Sequence, residues 1–442
     1  MQADKKIYIE TYGCQMNVND SEIIFSIMAK EGYARTEDIE EADLILANTC
    51  SVRDNAEQRI HGRIDVFAAQ KKRRPGVVTG IVGCMAERLK DSLLEEGKVD
   101  LVAGPDAYRS LPALVAAAAP GHPQINVLLS REETYGDIAP LRTDRNGVSA
   151  FISIMRGCNN ACSYCVVPYT RGAERSRDPR TIVREACDVL RQGYREVTLL
   201  GQNVDSYHWV DEDGGRTDFA DLLARVAALS PTLRVRFATS HPKDISDKLI
   251  DTMAAHPNVC RHIHLPVQSG SDAMLGKMRR RYDRAWYLER VARIREAMPD
   301  CSLTTDVIAG FCGETEQDHR DTLDLMRTVG YDAAFMFQYS ERPGTLAARR
   351  YPDDVPPAVK NRRLQEIIAL QNECSLSSNR RDIGKTWEVL VEGPSKRDPG
   401  QFCGRASNNK MCIFPGNGIQ PGEYLMVKVL DCTSATLFCA RA

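Results

Sequence analysis

Short β-branched apolar runs alternate, over the first 130 residues, with segments whose apolar positions recur every three to four residues. Residues 5–13 (KKIYIETYG) read as a strand, and 21–33 (SEIIFSIMAKEGY) as a helix. Further strands fall at 42–49 (ADLILANT), 76–83 (GVVTGIVG) and 101–106 (LVAGPD). Strands separated by helical periodicity predict βαβ units and a parallel sheet, so residues 1–130 are expected to form an N-terminal α/β sandwich domain. Residues 131–147 are polar and turn-rich and read as a linker.

A second alternating series follows. Its strands are expected at 151–157, 196–202, 233–240, 262–267, 302–311 and 333–340, with helical segments such as 179–193 and 283–298 between them. Six strands are too few for a closed eight-stranded barrel and predict a (β/α)6 partial barrel spanning 148–374. A proline-marked turn and one long helix end this domain. From Gly384 onward the pattern changes to short β runs (387–393, 424–431 and 433–441) divided by Gly, Pro and Asn turns. Residues 375–442 are therefore expected to form a small all-β barrel. The fold class is α/β with a β appendage.

No apolar run reaches the roughly 18–20 residues that span a bilayer, and the first residues lack the apolar stretch of a signal peptide. A cytoplasmic chain without membrane contact is expected. In a reducing compartment stable disulfides are disfavoured, so the 15 cysteines read as core residues, metal ligands or redox groups. Net charge is −2. That argues against a uniformly basic coat but leaves room for local basic clusters.

Cys158, Cys162 and Cys165 form a Cys-x3-Cys-x2-Cys run just after the strand at 151–157. Three thiolates on a [4Fe–4S] cluster leave one iron open. S-adenosylmethionine (SAM) can fill that position through its amino and carboxylate groups. A three-cysteine zinc site is the competing reading, but no fourth ligand lies nearby. The loop position agrees, because barrel active sites gather at the C-terminal ends of strands. This is the signature of the radical SAM superfamily, in which the residue before the third cysteine, here Tyr164, lies against the SAM adenine. By the same analogy Gly201, Gln202, Asn203, Gln268, Ser269, Gly310 and Glu314 surround SAM. The alternative reading of these residues is turn formation.

Cys14, Cys50 and Cys84 are spread over 70 residues, yet each ends an expected strand. Strand C-termini of a parallel sheet share one edge. The three thiols can therefore converge, again as three ligands with one open iron. Three unrelated core cysteines are the alternative.

The segments at 10–18, 48–58, 155–177, 199–207, 264–272, 304–316 and 339–345 resemble the methylthiotransferase branch of the radical SAM superfamily. The C-terminal module resembles a TRAM domain. The resemblance implies two [4Fe–4S] clusters, with the one at Cys14, Cys50 and Cys84 carrying sulfur. It implies that one SAM methylates that sulfur. A second SAM is cleaved at Cys158, Cys162 and Cys165 to a 5′-deoxyadenosyl radical, which takes hydrogen from C2 of an adenosine. The segment TYGCQMN favours the members acting on N6-isopentenyladenosine 37 of a tRNA anticodon loop. The alternatives are threonylcarbamoyl-adenosine 37, a ribosomal-protein aspartate, or a non-enzymatic Fe–S scaffold. An electron donor of flavodoxin or ferredoxin type and an unidentified sulfur donor are further implied partners, and the chain is expected to act as a monomer. Where family members often have proline, this chain has Cys312, read as structural; the other eight cysteines are read likewise.

Basic clusters supply the RNA reading. Arg279, Arg280 and Arg281 lie in one run, Lys396, Arg397 and Arg405 in the C-terminal module, and five arginines between 156 and 180 outweigh Glu174 and Asp178. Phosphate contacts from such groups supply most nonspecific affinity, although solvated surface is the ordinary alternative. The run 71–74 reads as a plain exposed face.

Overall fold

A computed structural model describes residues 5–51, 54–90, 92–95, 97–119, 121–143, 147–398, 400–416 and 418–442. Val52 and Arg53 of one family-like segment, and 144–146 of the expected linker, lie outside it. The chain divides into two compact units. One comprises Met1–Thr143, Phe151–Asn160 and Val166–Ile182; the other comprises Asp144–Ala150, Ala161–Cys165 and Val183–Ala442.

The first unit is built on β1 (Lys5–Thr11), β2 (Tyr33–Arg35), β3 (Leu44–Thr49), β4 (Val78–Gly83), β5 (Leu101–Ala103) and β6 (Gln124–Asn126). They form one sheet in the order β2-β1-β3-β4-β5-β6, every pairing parallel. Alternation along β3 explains the two faces. Leu44 and Leu46 join the core beneath the helix Gln15–Lys30 with Ile23, Ile24 and Met28. Ile45 and Ala47 join Ile60, Ile64 and Phe67 of the helix Asp54–Arg73. Both faces are covered, as parallel sheets require.

The expected linker is not a free tether over its described part. It has no regular element, but Tyr135 and Ile138 enter the core. The Tyr135 hydroxyl donates to the Pro105 carbonyl and accepts from Tyr108 N. Its ring stacks on Tyr108 at 5.5 Å. Arg109 pairs with both Glu133 and Asp137. The run 71–74 is likewise engaged: Lys71 pairs with Asp100 at 2.6 Å, and Arg74 donates to the carbonyls of Ile39 and Ala42.

Two further short strands belong to the first unit: β8 (Met155–Arg156) pairs antiparallel with β9 (Arg175–Ser176). The strand β7 (Ser149–Ser153) precedes them. The second unit carries β10 (Glu196–Leu200), a hairpin of β11 (His208–Val210) and β12 (Arg216–Asp218), β13 (Arg234–Ala238), β14 (His262–His264), β15 (Ser302–Ala309) and β16 (Ala333–Gln338). β10 and β13 pair parallel, and the Val148 carbonyl before β7 accepts from Arg195 and Glu196. β14, β15 and β16 form a second parallel set. The two sets meet through Val235 N to Asn258 O, Cys260 N to Val235 O and Ser240 N to His264 O. The six expected strands are thus present, with an irregular join between β13 and β14.

The long helix Pro357–Arg380 follows. Its Gln371 side chain donates to the Tyr331 carbonyl and its Ser375 hydroxyl to the Asp332 carbonyl. The C-terminal module is a closed barrel of β17 (Thr386–Pro394), β18 (Gln401–Ala406), β19 (Met411–Pro415), β20 (Tyr424–Cys432) and β21 (Leu437–Arg441), ordered β17-β18-β19-β21-β20. It docks on the start of β13. Arg234 donates to the carbonyls of Glu388 and Arg405, Arg236 to that of Ala406, and the Tyr424 hydroxyl to that of Thr232.

Candidate functional site

β1, β3 and β4 are neighbours in the first unit's sheet. Cys14 lies three residues beyond β1, Cys50 directly after β3, and Cys84 directly after β4. The strand ends that carry the three cysteines are neighbours, as expected. The Cys50 thiol donates to Cys14, which with the Arg171 charge lowers the Cys14 pKa. Two glycines permit the approach. A Cβ on Gly13 would stand 2.6 Å from Cys50 Cβ, and one on Gly83 would stand 2.6 Å from the Thr49 carbonyl; both have positive φ. Asn17 and Asn48 tie the strand ends together. Asn17 Nδ2 donates to Asn48 Oδ1 and Thr49 O, and Asn48 Nδ2 donates back to Asn17 O.

Beneath the thiols lies a buried ionic network that sequence reasoning missed. Arg171 donates through Nε to Cys84 Sγ at 3.2 Å and through Nη2 to Asp20 at 2.8 Å. Arg156 donates to the other Asp20 oxygen at 2.8 Å and lies 3.6 Å from Asp106, which also pairs with Arg175. All five side chains are at most 5% exposed. Three guanidiniums share two carboxylates, so one positive charge is left over. Burial opposes charge on Asp20, but Arg156 and Arg171 hold its pKa below the ordinary range. Burial pushes the Cys84 thiol up against the pull of Arg171. Arg171 Nη1 is buried without a hydrogen-bond partner. The arginines at 156, 171 and 175 are therefore not the RNA face that their density suggested. Arg177 is buried too, and Arg180 pairs with Asp178.

Of the second cysteine set, Cys158 lies in the first unit and Cys162 and Cys165 in the second. In the first unit, Cys158 follows Gly157, where a Cβ would collide with the Ala173 carbonyl. Asn160 N lies 3.4 Å from Cys158 Sγ. In the second unit, Ser163 fixes the loop: its backbone N and hydroxyl donate to the carbonyls of Met278 and Lys277, and its own carbonyl accepts from Ala347 N. The Tyr164 ring meets Phe311 edge-on at 6.5 Å, within a cluster that holds Met274, Met278 and the buried Cys312. Cys312 thus has the packing role expected of it. No three His, Cys, Asp or Glu side chains among the described residues are gathered to hold a single metal ion. A four-iron cluster places its thiolates on different irons and needs a wider set.

The residues expected around SAM all lie beyond strand C-termini. Gly201, Gln202 and Asn203 follow β10; Gln202 Oε1 and Asn203 Oδ1 are buried and unpartnered. Gln268 (φ 72°) and Ser269 lie beyond β14, with Gln268 N bonded to the Asp306 carbonyl. Gly310 donates to Glu314 Oε2 at 2.8 Å, and Glu314 also accepts from Arg363 at 2.8 Å. Glu314 therefore holds the turn after β15. His241, not singled out from sequence, is buried beyond β13 with Nε2 unpartnered; burial, then Arg280, lowers its pKa to about 2.

Of the RNA candidates, Arg279, Arg281, Lys396 and Arg397 are exposed, and Arg405 pairs with Glu392 at 3.1 Å. Arg280 corrects its reading. It is 4% exposed and turned inward, donating to Cys162 Sγ at 3.2 Å.

Three family models match the chain: the uncharacterized family UPF0004 over residues 6–104, the radical SAM superfamily over 152–326, and the TRAM domain over 380–439. The tRNA-2-methylthio-N(6)-dimethylallyladenosine synthase of Amoebophilus asiaticus is 56% identical over 98% of this chain and 92% of its own length. The enzymes of that name from Bacteroides fragilis and Porphyromonas gingivalis are each 55% identical over 98% of this chain, and over 95% and 94% of their own lengths. The chain belongs to the tRNA-2-methylthio-N(6)-dimethylallyladenosine synthase family. It is a radical SAM transferase, and the radical SAM match contains the Cys158, Cys162 and Cys165 run of this synthase-family chain. Among solved structures, the radical SAM methyltransferase TsrM of Kitasatospora setae matches at a TM-score of 0.59 with 15% identity, over 78% of this chain and 75% of that one. At that identity the likeness shows the fold. No helix among the described residues is long and apolar enough to cross a membrane.

Proposed function

We propose that the chain converts N6-isopentenyladenosine 37 of tRNA to its 2-methylthio derivative using two [4Fe–4S] clusters and SAM. The observation that carries the two-cluster reading is the first-unit site. Three thiols at adjacent strand ends lie over a buried network with one unbalanced positive charge and two unpartnered guanidinium nitrogens, Arg156 Nε and Arg171 Nη1. A buried cation is costly unless an anion accompanies it, and a thiolate-bound cluster is such an anion. The residues present fit the group.

Cys14, Cys50 and Cys84 would hold one cluster; Cys158, Cys162 and Cys165 would hold the other and leave an iron open for SAM. When bound, these groups supply the radical that takes hydrogen from C2 of the adenine and the sulfur that replaces it. The protein's own part is placement. Asn17 and Asn48 tie the segment at Cys14 to the end of β3, and the Thr49 hydroxyl ties β3 to the Val82 carbonyl of β4. Arg171 donates to the Cys84 sulfur and keeps its charge through Asp20. Ser163 pins the loop carrying Cys162 and Cys165 against the segment at Lys277 and Met278. The unpartnered Gln202 and Asn203 oxygens beyond β10 offer acceptors to the amino group of SAM. An anticodon loop is single-stranded and can present a splayed base. Exposed Lys396 and Arg397 on the barrel, with Arg279 and Arg281, are the cations offered to its phosphates. A low-potential one-electron protein donor, a separate source of sulfur and a cytoplasmic setting complete this reading.

The test is the nucleoside made by reconstituted protein on tRNA with and without the isopentenyl group. The 2-methylthio product is expected only from the isopentenylated tRNA. Product on threonylcarbamoyl-adenosine, or on a protein substrate alone, overturns the assignment.

A further inference from the structure

Arg280 is a buried cation with an unusual set of partners. Nη1 lies 3.2 Å from Cys162 Sγ and 3.4 Å from the Tyr164 hydroxyl. Nη2 donates to the Pro266 carbonyl at 2.8 Å and Nε to the Tyr282 hydroxyl at 3.0 Å. The guanidinium also lies 5.4 Å from the centre of the Tyr282 ring. Among the described residues it pairs with no carboxylate. Its neighbours Arg279 and Arg281 both take left-handed backbone conformations (φ 58° and 60°), which non-glycine residues adopt at a cost. The chain accepts one such residue on each side of Arg280, the arginine of this run that turns inward. Strain kept in this way marks functional positions.

We propose that Arg280 is a positioning residue for the cluster at Cys158, Cys162 and Cys165, and that it raises that cluster's reduction potential. The inference rests on the reading that these cysteines hold a [4Fe–4S] cluster. Reduction adds one electron from the external donor and makes the cluster more negative. A fixed cation bonded to a ligand sulfur stabilises the reduced form more than the oxidised one. Hydrogen bonds to the sulfurs and local charge are the levers that set such potentials. With no carboxylate to neutralise it, the Arg280 charge is directed at the Cys162 sulfur. Its other partners are two tyrosine hydroxyls and a backbone carbonyl.

The experiment is a potentiometric titration of the full-length reconstituted protein, followed by electron paramagnetic resonance, with the SAM-sensitive signal identifying this cluster. Iron content and tRNA affinity are measured on the same samples. Arg280→Gln removes the charge, and Arg280→Lys restores it. The Gln variant is expected to keep its iron and its tRNA affinity while its midpoint potential falls below wild type. The Lys variant is expected to recover most of that shift. Three results would overturn the proposal: equal potentials in wild type and the Gln variant; an unchanged potential with tRNA affinity lowered about tenfold, as loss of phosphate contacts would give; or loss of the cluster in both variants, which would make Arg280 a loop support. Wild-type protein without a SAM-sensitive cluster signal would instead remove the underlying reading.

Discussion

Each cysteine set has one buried arginine donating to one of its sulfurs at 3.2 Å, Arg171 to Cys84 and Arg280 to Cys162. Their surroundings differ. Arg171 shares Asp20 with Arg156, so its charge is partly neutralised within a rigid ionic lattice. Arg280 has carbonyl and hydroxyl partners only. The first arrangement suits a group that must be held, and the second suits one whose electron affinity must be set. One arginine builds a site; the other tunes it.

The largest effect that could break this comparison comes from the cysteines themselves. Replacing Cys158, Cys162 and Cys165 together by Ala should abolish 5′-deoxyadenosine formation and leave the N-terminal site's iron, about four atoms per cluster, in place. Iron analysis beside a SAM-cleavage assay checks this. If the N-terminal iron is lost as well, the two sites are not separate.

Next comes the lattice. Asp20→Asn leaves Arg156 and Arg171 without the carboxylate they share, and so with uncompensated positive charge in a fully buried setting. Breaking such a network costs on the order of 3–5 kcal/mol, to be read from denaturant unfolding of the iron-free protein. A change below about 1 kcal/mol, the worth of an exposed pair, would mean the lattice does not support the site.

Smaller still is Gly83→Ala. The added methyl would meet the Thr49 carbonyl at 2.6 Å with φ at 92°. A strain of about 1–3 kcal/mol is expected, with weaker iron retention at the N-terminal site and unchanged SAM cleavage. Replacing Lys396 and Arg397 by Ala should lower tRNA affinity several-fold and flatten its salt dependence by about one to two units of slope, leaving iron content unchanged.

The strands carrying both sites were legible because buried parallel strands must be continuous apolar runs, and β3 is buried along its whole length. Two barrel strands were not. β18 and β19 carry Gly404 and a terminal proline and have four of their eleven residues buried, so they resemble the turns around them. The packing of the expected linker's described part was missed because only Tyr135 and Ile138 anchor it in the core. The arginines misled more instructively. Counting charge along the chain finds Glu174 and Asp178 near Arg171 and Arg175, but the carboxylates that Arg156, Arg171 and Arg175 bond, Asp20, Asp20 and Asp106, lie 136, 151 and 69 residues away. The inward turn of Arg280 depends on two left-handed neighbours that composition does not announce.

The central claim is that the first-unit cysteines serve sulfur delivery and not radical formation. The most direct measurement is on protein with Cys14, Cys50 and Cys84 all replaced by Ala, assayed with isopentenylated tRNA, SAM and reductant. The account predicts that 5′-deoxyadenosine still forms, iron content falls by about half, and no 2-methylthio nucleoside appears. Formation of that nucleoside by the triple variant would contradict it.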